Sequence, residues 1–287
     1  MIAAAQRGSF PAERATPLGG WHNAIVYTGF QRLSGMLLEN LRSRAKNGSF
    51  ENGDADMKME VFSDDESTAR AAAKFIAAEA KAAIAARGKF VMAVSGGRTP
   101  WIMLRALATE DLPWDRVHVV QVDERVAPAG HADRNLTHLQ ESLLARSPIR
   151  PEQIHAMPVE SADLEAAAEE YASVLREIAG SPPTLDLIHL GLGPDGHTAS
   201  LVPGDPVLDV TGADVALTGI YQGRRRMTLT YPVINRARLI LWLATGSEKV
   251  GMLARLRERD VSIPAGRVCQ DQAVIFADRA AAAERAA

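Results

Sequence analysis

Asp195 and His197 stand two positions apart in the run Gly191-Leu192-Gly193-Pro194-Asp195-Gly196-His197-Thr198-Ala199-Ser200. A carboxylate beside an imidazole can fix the ring's tautomer and raise its basicity, which makes His197 the best general-base candidate in the chain. Residues 191–196 also spell G-x-G-x-x-G. A dinucleotide site would need a full helix after that motif and an acidic ribose partner about 20 residues on, at the end of a second strand. Pro203, Gly204 and Pro206 stop any helix within about two turns, and Asp214 ends no convincing buried strand. The nicotinamide reading is therefore set aside.

A second group of interest is Ser95-Gly96-Gly97-Arg98-Thr99-Pro100. Paired glycines let backbone N–H groups approach a ligand, a following helix adds its positive end, and Ser, Thr and Arg add donors, a combination suited to phosphate. The Gly-Lys-Ser/Thr ending of a P-loop is missing, and Ala93 stands where a nucleophile elbow needs Gly. The plainer reading is an ordinary tight turn between strand and helix. A third group is Asp123-Glu124-Arg125, after the apolar run 117–122. Three adjacent charges there suit a salt-bridged loop, and a carboxylate among them could orient a sugar hydroxyl or assist proton transfer. Asn135 and His138 follow, His138 reading as a helix-surface residue. Arg224, Arg225, Arg226 and Lys249 are solvated charges by default. If one Arg and Lys249 converge on residues 95–99, they complete a clamp for a dianion. His189, inside an apolar run, reads as core. No metal-ligand spacing is present, so no metal is expected.

Elements must bring these groups together. Residues 59–62, 90–94, 117–122, 185–190, 227–230, 239–245 and 273–276 read as strands. Helical patterns cover 67–87, the segment opened by Pro100, and 136–145, 162–178 and 247–257. Short apolar runs without polar alternation fit strands buried on both faces. The alternation predicts an α/β fold: a Rossmann-like, doubly wound, mostly parallel sheet with helices on both faces. Ligands in such folds bind beyond the carboxyl ends of the strands, where the 95–100, 123–125 and 191–200 groups fall. Residues 1–56 read differently. Early Gly and Pro, one helical pattern over 30–44 and a linker-like 47–54 mark an extension outside the core, or translation from Met57 or Met59. Residues 57–287 form a single domain on this reading, with 280–287 a fraying helix end.

Composition narrows the classes. The chain of 287 residues is 47% hydrophobic and 23% charged, which excludes wholesale disorder. Its 32 basic and 35 acidic residues leave a net charge of −3, giving no support to nucleic-acid binding. The single cysteine, Cys269, excludes a disulfide scaffold and reads as a structurally bland free thiol. No run approaches the roughly 20 apolar residues of a membrane span. With no secretory signal pattern at the N-terminus, a cytoplasmic setting is expected. The oligomeric state stays open.

In order along the chain, Ser-Gly-Gly-x-Thr-Pro (95–100), Asp-Glu-Arg-x-x-Pro (123–128), Gly-Leu-Gly-x-Asp-Gly-His-Thr-Ala-Ser-Leu-x-Pro-Gly (191–204), Arg226-Met-Thr-Leu-Thr, Gly246-x-x-Lys249 and Pro264-Ala265 resemble the 6-phosphogluconolactonases. These share a superfamily with glucosamine-6-phosphate isomerase/deaminase. The resemblance covers about residues 57–280, and the Asp-Gly-His-Thr-Ala-Ser segment is its most specific part. It implies hydrolysis of 6-phospho-D-glucono-1,5-lactone to 6-phosphogluconate, the second step of the oxidative pentose phosphate pathway. It implies His197 as base, Asp195 or Asp123 to orient it or a sugar hydroxyl, and Ser95, Gly96, Gly97, Arg98, Thr99, Arg125, Arg226 and Lys249 as substrate and phosphate ligands. The deaminases continue past Gly-His with a Glu, five residues after the His, that supports ring opening. Here that position is Val202. A lactone needs no such opening, so Val202 favours the lactonase. The other alternative is a non-catalytic sugar-phosphate sensor, which would need a DNA-binding module that residues 1–56 do not display.

Overall fold

The structure, a computed structural model, describes residues 57–283. The readings for 1–56 and for the end of the 280–287 stretch lie outside the described residues. In chain order the elements are β1 (Lys58–Phe62), α1 (Asp65–Arg87), β2 (Phe90–Val94), α2 (Arg98–Leu107), β3 (Val117–Gln121), β4 (Asp123–Arg125), α3 (Asn135–Ser142), β5 (Ile154–His155), α4 (Leu164–Ala179), β6 (Leu187–Gly191), β7 (Val215–Leu217), β8 (Arg226–Leu229), α5 (Tyr231–Asn235), β9 (Ile240–Ala244), α6 (Val250–Arg257) and β10 (Ala273–Asp278). Local sequence sets the ends of the longest helix. The Asp64 side chain accepts from the Ser67 backbone N–H, and the Ser67 hydroxyl accepts from that of Asp64. At the other end Gly88 takes the left-handed conformation and closes onto Ile84.

Seven strands pair in parallel in the order β1-β10-β9-β6-β2-β3-β5. The chain leaves β2 toward β3 and β5 on one side, then returns to lay β6 on the other. The carboxyl ends of β2 and β6 therefore flank the switch point, where open α/β sheets bind ligands. One face of the sheet packs Val91, Ile188, Leu190 and Trp242 against Tyr171 and Leu175 of α4 and Leu253 and Leu256 of α6. The other face takes α1, whose Phe75 ring lies 5.3 Å from Phe276 of β10. Each such large side chain, fully buried, contributes about 1.5–3 kcal/mol. Helices thus cover both faces, as the strand–helix alternation implies.

Two segments differ from the sequence reading. Residues 227–230 lie in no parallel strand, and residues 123–125 are no simple loop. They form β8 and β4 of a separate antiparallel sheet in the order β4-β8-β7, with Asp123 opposite Thr228 and Arg125 opposite Arg226. The cause is Val122, whose N–H still donates to Val94 of the large sheet while its carbonyl accepts from Leu229 of the small one. The chain changes sheets at that residue, which no local pattern marks. Residues 279–283 form turns, not a helix end. Among the described residues, no helix is long and apolar enough to cross a membrane.

Candidate active site

The loop after β6 carries the acid–base pair. His197 Nδ1 lies 2.5 Å from Asp195 Oδ1, and the same oxygen accepts the His197 backbone N–H at 3.1 Å. The ring can lie back over its own loop because residue 193 is glycine: a Cβ there would stand 2.1 Å from Nδ1. Burial raises the Asp195 carboxyl, but the His197 charge, the two His197 hydrogen bonds and the Tyr221 hydroxyl outweigh it and hold the group below its ordinary value. A carboxylate on Nδ1–H leaves Nε2 as the nitrogen able to take a proton. The segment after Gly196 forms no helix; it turns at Thr198–Leu201. That removes the structural requirement for a dinucleotide site, as the prolines indicate.

Tyr221 closes the other side of the pair. Its hydroxyl donates to Asp195 Oδ2 at 3.0 Å, and its ring meets the imidazole edge-on at 5.5 Å. The Arg226 guanidinium lies 4.9 Å above the same phenol. Arg226 donates to Gln222 Oε1 at 3.1 Å and to Ser200 Oγ at 3.4 Å. Ser200 donates to Asp123 Oδ2 at 2.6 Å, and Asn135 donates to Asp123 Oδ1 at 3.2 Å. Asn135 in turn fills the space beside Gly96, where a Cβ would stand 2.0 Å from its Oδ1. A contiguous polar path thus runs from the base to the loop after β2. The carboxylate that meets the imidazole is Asp195; Asp123 holds Ser200 and Asn135 instead.

The basic groups divide into two sets. Arg125 and Arg226 face each other across β4 and β8, each with a buried Nε that has no hydrogen-bond partner among the described residues. Burial first, then the Arg125 charge, lowers Arg226 from its ordinary value. Two guanidiniums side by side, partly unsatisfied, are the arrangement an anion would complete. Lys249 ends the turn after β9 and forms no ion pair among the described residues. Its loop is tied to the β2 loop, since Thr99 Oγ1 lies 2.7 Å from Thr245 Oγ1. Two residues of the proposed phosphate set are employed elsewhere. Ser95 donates its hydroxyl to the His189 carbonyl at 2.9 Å. Arg98 has an 85% exposed side chain and pairs with Asp65, turned away from the glycines. Glu124 is the structural member of its triplet: fully buried, it accepts from Gln121, Arg125, Asn135 and Leu136 and pairs with Arg134 at 3.2 Å. His138 stacks on Trp101 at 4.0 Å, outside the path described.

Comparison with known proteins places the chain. The profile of the glucosamine-6-phosphate isomerases/6-phosphogluconolactonase family matches residues 63–276. The chain belongs to this family. A relative from Synechocystis named 6-phosphogluconolactonase is 42% identical over 178 residues, 61% of this chain and 74% of that protein. The 6-phosphogluconolactonase of Mycobacterium tuberculosis is 36% identical over 240 residues, 79% of this chain and 97% of that protein. The crystal structure of 6-phosphogluconolactonase from Thermotoga maritima superposes with a TM-score of 0.68 at 27% identity, covering 77% of this chain and 98% of that one.

The family name spans two activities, and Val202 bears on the choice. The position holds a valine, buried in the interior, so it offers no acid. Sequence reasoning missed Tyr221, Gln222 and Ser200. A signal for the first existed. Gln222-Gly223, both at positive φ, form a two-residue hairpin loop between β7 and β8 that sets Tyr221 opposite Arg224.

Proposed function

We propose that this enzyme hydrolyses 6-phospho-D-glucono-1,5-lactone to 6-phosphogluconate, in the oxidative pentose phosphate pathway. The observation that carries the reading is the Asp195–His197 pair at the switch point, its Nε2 left to act, beside the facing Arg125 and Arg226. His197 Nε2 takes a proton from water as the oxygen attacks the lactone C1 carbonyl. The tetrahedral intermediate then collapses, the bond from C1 to the ring oxygen breaks, and His197 returns its proton to that oxygen. The sum is addition of one water, which opens the ring to a carboxylic acid and a hydroxyl. An ester carbonyl is electrophilic enough that this route calls for no metal or organic cofactor.

The 6-phosphate is assigned to the backbone N–H groups of Gly96 and Gly97 with Thr99, Lys249 and the Arg226 side chain, Arg125 supporting Arg226. Ser95 and Arg98 contribute through the loop's shape instead of as direct donors. The activity resides in one α/β domain over residues 57–287, with the cytoplasm as the proposed compartment. The isomerase reaction is disfavoured by Val202, which offers no acid for ring opening.

A coupled assay tests the reading. Glucose-6-phosphate dehydrogenase generates the lactone in place, and 6-phosphogluconate is followed with and without this protein, beside His197→Ala. Acceleration over the spontaneous rate by the wild type alone is expected. A folded protein that gives no acceleration would overturn the assignment.

A further inference from the structure

We propose that Tyr221 is a positioning residue for the base, acting through Asp195: its hydroxyl fixes the carboxylate's second oxygen and moderates the charge that the carboxylate presents to His197. The inference rests on the lactonase reading for its role in turnover, but not for the coupling itself. Asp195 has two oxygens and both are committed. Oδ1 receives the ring and backbone of His197, and Oδ2 receives the Tyr221 hydroxyl. With both oxygens held, the carboxylate cannot rotate about its terminal torsion, which is otherwise soft. The imidazole that depends on it is therefore held in one plane.

Tyr221 is itself held. Arg226 lies over one face of its ring, and the hairpin that carries it is latched by Arg224 to Asp133 at 2.9 Å and by Arg225 to Glu165 at 2.8 Å. Burial first, then the hydrogen bond and charge of Asp195, raise the phenol above its ordinary range, so it remains a donor at any working pH. Among the described residues, the charged and titratable groups around the pair are few. They are Tyr221 on the hairpin, Arg226 on β8 behind the phenol, and Arg125 and Asp123 on β4. Of these, Tyr221 is the one that hydrogen-bonds Asp195 among the described residues, and its hydroxyl also lies 3.5 Å from His197 Nδ1. A donor on Oδ2 draws negative charge from the carboxylate and weakens its hold on an imidazolium. Removing that donor makes the carboxylate a stronger partner for the protonated ring.

The direction follows. In Tyr221→Phe the ring, and with it the Arg226 contact, is kept while the hydroxyl is lost. The acid limb of kcat/KM against pH moves upward, by about 0.4–1 pH unit if one hydrogen bond of ordinary net strength is removed. KM at the pH optimum changes by less than about twofold, because the hydroxyl is not among the proposed phosphate donors. A merely structural tyrosine would move neither limb.

The experiment pairs that profile with a titration of the His197 ring by NMR in the free protein, the resonance assigned by its loss in His197→Gln. The titration needs no substrate and so separates this proposal from the lactonase reading. An upward shift of the His197 midpoint in Tyr221→Phe supports the coupling even in a protein without lactonase activity. An unchanged or downward midpoint overturns it, whatever the activity. If the midpoint rises while the rate profile of an active enzyme stays in place, the proposed role in turnover is overturned.

Discussion

β6 and the loop beyond it carry two histidines with opposite fates. His189 lies in the strand, wholly buried, with no carboxylate paired to it among the described residues. Its Nδ1 accepts the Ser95 N–H at 3.3 Å, and burial pushes the ring down to about 3. It therefore stays neutral and serves as a fixture that ties the end of β2 to β6. His197 lies past the strand end, partly open, with Asp195 on one nitrogen and no partner on the other among the described residues. The contrast shows what an imidazole needs to become a base at this sheet: a carboxylate to stabilise the proton's charge, and a second nitrogen not taken up by the fold. Burial without the carboxylate gives only a hydrogen-bond acceptor.

The strongest way to break the contrast is to remove the open nitrogen. His197→Gln should lower kcat by about 10²–10⁴, the usual contribution of a general base, while its urea midpoint stays at the wild-type value. Turnover within a factor of three of wild type, after subtracting spontaneous hydrolysis, would end the base assignment. Asp195→Asn sharpens the same point. The amide leaves the ring in place but removes the charge that stabilises its protonated form, so kcat should fall by roughly 10²-fold, the lower end of that range. Asp123→Asn is the control: Asp123 hydrogen-bonds Ser200 and Asn135 and not the imidazole. If it instead matched Asp195→Asn in the position of the acid limb, the two carboxylates would have to exchange roles.

The parts of this molecule that could be read in its sequence are those written in local patterns. Phe90–Val94 is continuous and apolar because it is buried on both faces, and it appears as a strand with the bounds that its run suggests. Asp195 and His197 were visible because their partnership is local. The small sheet was not, because β4 is three residues long and is defined by pairing with β8. Tyr221 escaped for the same reason. It reaches Asp195 only because the Gln222-Gly223 turn folds its hairpin over the loop, a contact between distant segments. Ser95 and Arg98 show the converse limit. Their types suit phosphate, but a strand end needs its own hydrogen bonds first, and Ser95 spends its proton on β6. Arg98 opens α2 at a position facing out, where Asp65 is the available partner.

The smallest effect concerns stability and tests the His189 side of the contrast. A histidine whose folded value is depressed binds its proton more readily in the unfolded chain. Its contribution is fully present above the unfolded value of about 6.5 and is lost as pH falls below that value. His189 loses about 1.4 kcal/mol for each pH unit below that point, until its folded value of about 3 is reached. His118 and His155, whose rings lie 3.1 Å apart at their nearest nitrogens, are lowered too, by burial first in each. They are common to wild type and to His189→Asn, so they cancel in a comparison of the two. Asparagine keeps an acceptor for the Ser95 N–H and cannot titrate. Urea unfolding at pH 7.5 and 5.5 should therefore show the wild type losing about 1.4 kcal/mol more than His189→Asn over that interval. Parallel losses would mean that His189 takes up a proton in the folded state, and its role as a neutral fixture between β2 and β6 would fall.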